Sequence, residues 1–200
     1  MKKTILATLV ASGLLATAAV NAAGFDGVYA GADVGFTKGE WNETGFDMSG
    51  NQTNFGLNLG YGATMGNFYL AGELAFRNNG ADFGDKNITL SGIPVKVGAK
   101  ATTTKMISIL PGFVVSKNTL IYARLGRGNT DMEYTATNLN NGASFTQSQN
   151  GDFNIYGLGM NYLMTTNLSV VAEVNRAVGN IDNGGDATMT SLNAGINYRF

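Results

Sequence analysis

The sequence predicts an all-β fold, a closed eight-stranded antiparallel up-and-down barrel that crosses a membrane. Three observations carry this. Eight segments alternate apolar and polar residues with period two, their connections are alternately long and short, and the middle of each apolar face is free of charge. A soluble sandwich shows the same alternation but does not segregate its loops by length, and an even strand count lets the sheet close without exposing edges to hydrocarbon.

The chain opens with Lys2 and Lys3, an apolar run through Ile5, Leu6, Leu9, Val10, Leu14 and Leu15, and small residues at Ala22 and Ala23. Residues 1–22 are expected to be a Sec signal peptide that is cleaved, leaving residues 23–200 as one barrel domain. Losing the two lysines takes the formal charge from -1 to -3, because residues 1–22 contain no acid. Nucleic acid is therefore not an expected partner. With no cysteine there are no disulfides, and 28 glycines against two prolines suit packed strands and tight turns. Beyond the signal no apolar run is long enough for a spanning helix, so a membrane passage has to be made by a closed sheet.

The first strand, 25–36, sets Val28, Ala30, Ala32, Val34 and Phe36 against Gly27, Tyr29, Gly31, Asp33 and Gly35. Residues 37–50 then read as a long polar excursion that contains Trp41. The second strand, 51–63, sets Phe55, Leu57, Leu59 and Tyr61 outward against Asn54, Asn58 and glycines. After a short turn at 64–67, strand 68–78 places Phe68, Leu70, Leu74 and Phe76 outward and Tyr69, Ala71, Glu73, Ala75 and Arg77 inward.

Residues 79–104 form the second excursion. Within it 86–101 reads either as the arms of a hairpin above the bilayer or as an extra strand pair; each piece is short for an apolar band of about 25 Å, which favours arms. Strand 105–115 carries Pro111, a residue that normally marks an edge or bulge. Strand 120–128 sets Ile121, Ala123 and Leu125 against Tyr122, Arg124 and Gly126. The third excursion is 129–150. Strands 151–162 and 168–177 follow, and 178–187 is the last excursion before the closing strand. There Leu192, Ala194, Ile196, Tyr198 and Phe200 oppose Asn193, Gly195, Asn197 and Arg199.

Tyr29-Ala30-Gly31, Asn58-Leu59-Gly60-Tyr61, Ala71-Gly72-Glu73-Leu74, Leu110-Pro111-Gly112, the run Leu120 to Gly126, Gly157-Leu158-Gly159 and the terminal Ile196 to Phe200 together resemble the small OmpA-like and opacity-type outer-membrane barrels, including porin-like surface antigens. The resemblance covers nearly all of residues 23–200. It implies a monomer in the bacterial outer membrane, with both termini periplasmic and four loops outside. It also implies that the strand ending at Phe200 is read by the outer-membrane assembly machinery. The chain departs from full OmpA by stopping at Phe200, so a peptidoglycan-binding domain is not expected. Such a barrel would serve envelope integrity, with adhesion or recognition of an extracellular ligand at its loops. The alternative is a narrow porin-like channel for small ions and solutes.

Enzymes built on similar barrels resemble one another in using histidine at the active centre, and this chain has none. No catalytic, cofactor or metal site is expected. The acid pairs Asp82 with Asp85 and Asp182 with Asp186 offer oxygen ligands for calcium, but two carboxylates in a loop read more readily as solvated charge. Glu73, Arg124 and Glu173 should lie inward at similar depth. They read either as an ion gate or as paired charges filling a narrow lumen, and the small barrel favours the second. Lys105, Arg127 and Arg176 point outward near the long-loop rim, where they would either contact lipopolysaccharide phosphates or be tolerated rim charge. Phe36, Phe55 and Phe76 above, and Phe68, Phe113, Tyr162, Tyr198 and Phe200 below, read as interfacial girdles. Trp41, read as a loop residue, is either an exposed contact or packed on its own loop.

Overall fold

The computed structural model describes residues 24–43, 46–180 and 186–200. The expected signal peptide, 1–22, and Asp182 lie outside the described residues. Eight antiparallel strands follow one another around a ring: β1 (Gly27–Glu43), β2 (Phe46–Met65), β3 (Phe68–Leu90), β4 (Ile93–Ser116), β5 (Thr119–Asn138), β6 (Ser144–Leu163), β7 (Leu168–Asn180) and β8 (Asp186–Arg199). β1 pairs with β8 from Tyr29–Arg199 to Asn42–Asp186, which closes the barrel.

The outer wall is apolar, as the alternation requires. Leu57, Ile107 and Leu158 are each more than 60% exposed, and Leu74, Leu125, Val174 and Ile196 stand beside them on the same surface. So large an apolar belt has no place in water and is the face a barrel turns to lipid. Phe36, Phe55 and Phe76 rim the belt toward the long ends. Phe113, Tyr162, Tyr198 and Phe200 rim it toward the short turns, where Phe68 stands edge-on to Phe113 and Tyr198 edge-on to Phe200.

The strands are much longer than the roughly ten residues a bilayer needs, and most of the polar excursions are strand. β4, the longest, has 24 residues. Residues 37–43, 79–90, 93–104, 129–138 and 144–150 continue their strands' ladders beyond the apolar belt. Backbone pairing in a hairpin does not need an oily face, so a polar segment in register with its neighbour stays a strand in water. Residues 86–101 are accordingly hairpin arms, with Leu90 opposite Ile93 across a two-residue turn. Both turn residues have positive φ, 51° at Ser91 and 82° at Gly92, the geometry that matches the twist of flanking strands. Trp41 belongs to β1 rather than to a loop. Pro111 sits inside β4 opposite Leu70 of β3, and the ladder to β5 steps from Ile109–Leu125 to Gly112–Tyr122 across it, where an N–H is not required.

Inside, the barrel is layered. At the short-turn end Phe25, Tyr29, Tyr69, Leu110, Leu120 and Leu163 pack together, and at the long end Met48, Phe83, Met132, Phe153 and Met189 do the same. Phe83 and Phe153 are at most 1% exposed. Between these apolar layers lies a polar one.

Candidate functional site

The polar layer is built by alternation: β3, β5 and β7 each turn every second side chain inward, which brings Glu73, Arg124 and Glu173 to one level. Arg124 Nη1 lies 2.7 Å from Glu73 Oε1, off the N–H direction, so this contact is an ion pair rather than a hydrogen bond. Arg124 Nη2 donates to Glu173 Oε1 at 2.6 Å. The same carboxylate accepts from the Tyr122 hydroxyl at 2.6 Å and from Asn175 Nδ2 at 3.0 Å. Glu73 Oε2 accepts from the Tyr29 hydroxyl at 2.9 Å and Asn58 Nδ2 at 3.2 Å.

Arg77, two inward positions above Glu73 on β3, forms a second centre that the three-residue cluster did not include. Its Nη1 donates to Asp33 Oδ1 at 2.7 Å, Asn193 Oδ1 at 2.6 Å and Asn54 Oδ1 at 3.2 Å, while Nη2 lies 3.8 Å from Glu173 Oε2. Two arginines thus face three carboxylates in one linked group. Arg199, on the closing strand, is set apart: its guanidinium lies 5.0 Å over the Tyr29 ring and donates to the Gly27 carbonyl at 3.3 Å.

Little space is left among these groups. The cavity they line is about 20 Å³, and a second one above it, beside Thr37, Asn54 and Thr104, is about 50 Å³. A single water needs roughly the smaller of these. Charges this deep are stable only when paired, and Asp33, Glu73, Arg77, Arg124 and Glu173 each have a partner of opposite sign.

The rim cations are exposed. Lys105 Nζ lies 3.9 Å from Asp131, and Arg127 Nη2 donates to Asp152 at 3.1 Å. Asn129 Nδ2 also donates to Asp152, at 2.9 Å. Arg176 is also exposed, opposite Tyr156 and Thr190. Asp82 and Asp85 lie in the bulged arm of β3. Asp85 meets Lys96 at 2.6 Å, and Asp82 meets Lys100 at 3.9 Å while accepting the Gly84 N–H at 2.7 Å. Among the described residues no three acidic side chains gather as a metal site. The side chain of Asp186 lies outside them.

A closed ring of eight strands, oily without and packed with paired charge within, is a transmembrane barrel of the bacterial outer-membrane class. Residues 7–200 match the outer membrane protein beta-barrel domain, and the chain belongs to that family. Its fold is similar to the crystal structure of Ail, the attachment invasion locus protein of Yersinia pestis, with a TM-score of 0.53 at 17% identity, covering 86% of this chain and 98% of that one. It is also similar to Neisserial surface protein A, with a TM-score of 0.53 at 16% identity, covering 86% and 97%. At these identities the likeness is one of fold. No curated protein matches the sequence.

Proposed function

We propose that the chain is a monomeric structural barrel that supports the outer membrane and presents its strand arms outside the cell for adhesion or recognition. The observation that carries this reading is the filled lumen: an apolar layer at each end, and between them ion pairs at 2.6–2.7 Å around a cavity of about 20 Å³. A barrel filled in this way acts through its outer surface. Conduction, the rival reading, requires the Arg124 pairs to part and both apolar layers to open. In planar bilayers the purified protein is expected to be electrically silent. Discrete conductance steps that change in Glu73→Gln would overturn this reading in favour of a channel. Cells displaying the full chain are expected to adhere to matrix-coated plates, and cells displaying a barrel with residues 131–150 replaced by a tight turn are not.

Phe25 and Phe200, close to the two described ends of the chain, lie at the short-turn rim. In our reading this rim faces the periplasm, the signal is cleaved after Ala22, and the assembly machinery reads the strand that ends at Phe200. Lys105, Arg127 and Arg176 then stand at the outer leaflet, where lipopolysaccharide presents its phosphates. Exposure supports the assignment: the Lys105 and Arg127 side chains are 66% and 69% accessible. Native mass spectra of Lys105→Ala/Arg127→Ala are expected to show less retained lipopolysaccharide than wild type; equal retention would leave these groups as tolerated rim charge.

A further inference from the structure

Beyond the closed wall the strands part into two sheets. β2 stays paired with β3 only as far as Phe55–Asn78, and β6 with β7 only as far as Asp152–Asn180. One sheet holds the upper arms of β8, β1 and β2, the other those of β3 to β6. An apolar stripe climbs one face of the second sheet by register: Ala101 opposite Met132, Ala99 opposite Tyr134, then Val97 opposite Ala136, which lies opposite Phe145. Its lower part is covered by the layer around Phe83. Its upper part is not. There Trp41 and Met48, cross-strand partners on the first sheet, join Ile88, Val97 and Phe145 around a cavity of about 530 Å³.

An apolar space of about 150 Å³ takes up benzene, so this one has room for a ligand of roughly 20 non-hydrogen atoms. Among the described residues none that lines it is charged, and its described polar side chains are Thr135, Gln147 and Tyr134. The nearby charges of Lys96 and Asp85 are spent on each other at 2.6 Å. The Tyr134 ring stands edge-on to Trp41 at 5.8 Å, and its hydroxyl oxygen is shielded without a hydrogen-bond partner. Burial pushes the phenol pKa up, so the group is a neutral donor that lacks an acceptor. A carboxylate or ammonium in this place would be desolvated with no counter-charge among the described lining residues. A neutral oxygen would complete the tyrosine.

We propose that the cavity binds a neutral single-chain amphiphile, with an aliphatic body of up to about 18 carbons against Trp41, Met48, Val97 and Phe145 and one alcohol, ester or carbonyl oxygen on the Tyr134 hydroxyl. Trp41 is the chain's one tryptophan and therefore reports from the cavity wall. The test titrates the full chain in lipid nanodiscs with 11-bromoundecan-1-ol, whose bromine quenches tryptophan on contact. The expected result is saturable quenching that undecan-1-ol reverses by competition, with no quenching by nanodisc phospholipid brominated along its acyl chain. Ala136→Phe, which fills the space, is expected to weaken binding by about tenfold or more. Tyr134→Phe is expected to weaken binding of the alcohol by about fivefold while leaving 1-bromoundecane unaffected. Circular dichroism matching wild type shows that each variant is folded. Quenching that rises linearly without saturation in the wild type, or saturates equally in a folded Ala136→Phe, overturns the site. Unchanged alcohol binding in a folded Tyr134→Phe overturns the assignment of the head group.

Discussion

Arg124→Leu is expected to lower the unfolding free energy of the barrel by about 3–5 kcal/mol, read from urea titrations in lipid vesicles. The guanidinium joins β5 to β3 and β7 at once, 2.7 Å from Glu73 and 2.6 Å from Glu173, in a layer that is almost wholly shielded. Removing it leaves two carboxylates at one level, with Arg77 3.8 Å from Glu173 as the nearest remaining cation on that residue. The loss comes mostly from these stranded charges rather than from the missing attraction. Combining Arg124→Leu with Glu73→Gln and Glu173→Gln is therefore expected to recover most of the stability. A triple variant as weak as the single one would mean that packing of the arginine, and not charge, holds the layer.

Gly60→Val is expected to cost about 1–3 kcal/mol, while Gly72→Val, on the neighbouring strand, costs nothing measurable or stabilises slightly. A Cβ at Gly60 would come 2.3 Å from the Tyr29 ring. That ring has no room to retreat: its hydroxyl is bonded to Glu73 at 2.9 Å and Arg199 lies 5.0 Å over its face. At Gly72 a Cβ meets nothing within 4 Å, because the residue points out of the barrel. Thermal or urea unfolding of the two variants side by side tests the inward and outward assignment directly. Equal losses at both positions would contradict it.

Much of this architecture was legible as parity. Alternation assigns Glu73, Arg124 and Glu173 to the lumen, and their distance from the short turns sets a common depth, so the cluster is legible in the sequence. Arg77 has the same inward parity but a different backbone depth, so a count of positions along the strand does not join it to the cluster. A guanidinium is long enough to reach Asp33, Asn54 and Asn193 on other strands, and that reach is invisible in a count of residues. Apart from 86–101, which reads as hairpin arms, the polar excursions read as loops for a related reason. Asn, Thr, Gly and Ser signal turns by composition, yet once the membrane segment has fixed a register the hydrogen-bond ladder simply continues. Phe83 was hidden by two bulges in β3, between Asn78 and Ala81 and between Asp82 and Asp85, which interrupt the period that would have assigned its side.

The sequence by itself determined the strand order, the two faces of each strand and the charge-free belt, because these follow from period two and from the cost of charge in hydrocarbon. Only the tertiary structure decided how the lumen is filled, how far the wall rises above the bilayer, and that two sheets part to leave an apolar cavity beside Trp41. Those features depend on contacts between strands distant in the chain and on side-chain reach, neither of which a one-dimensional period encodes.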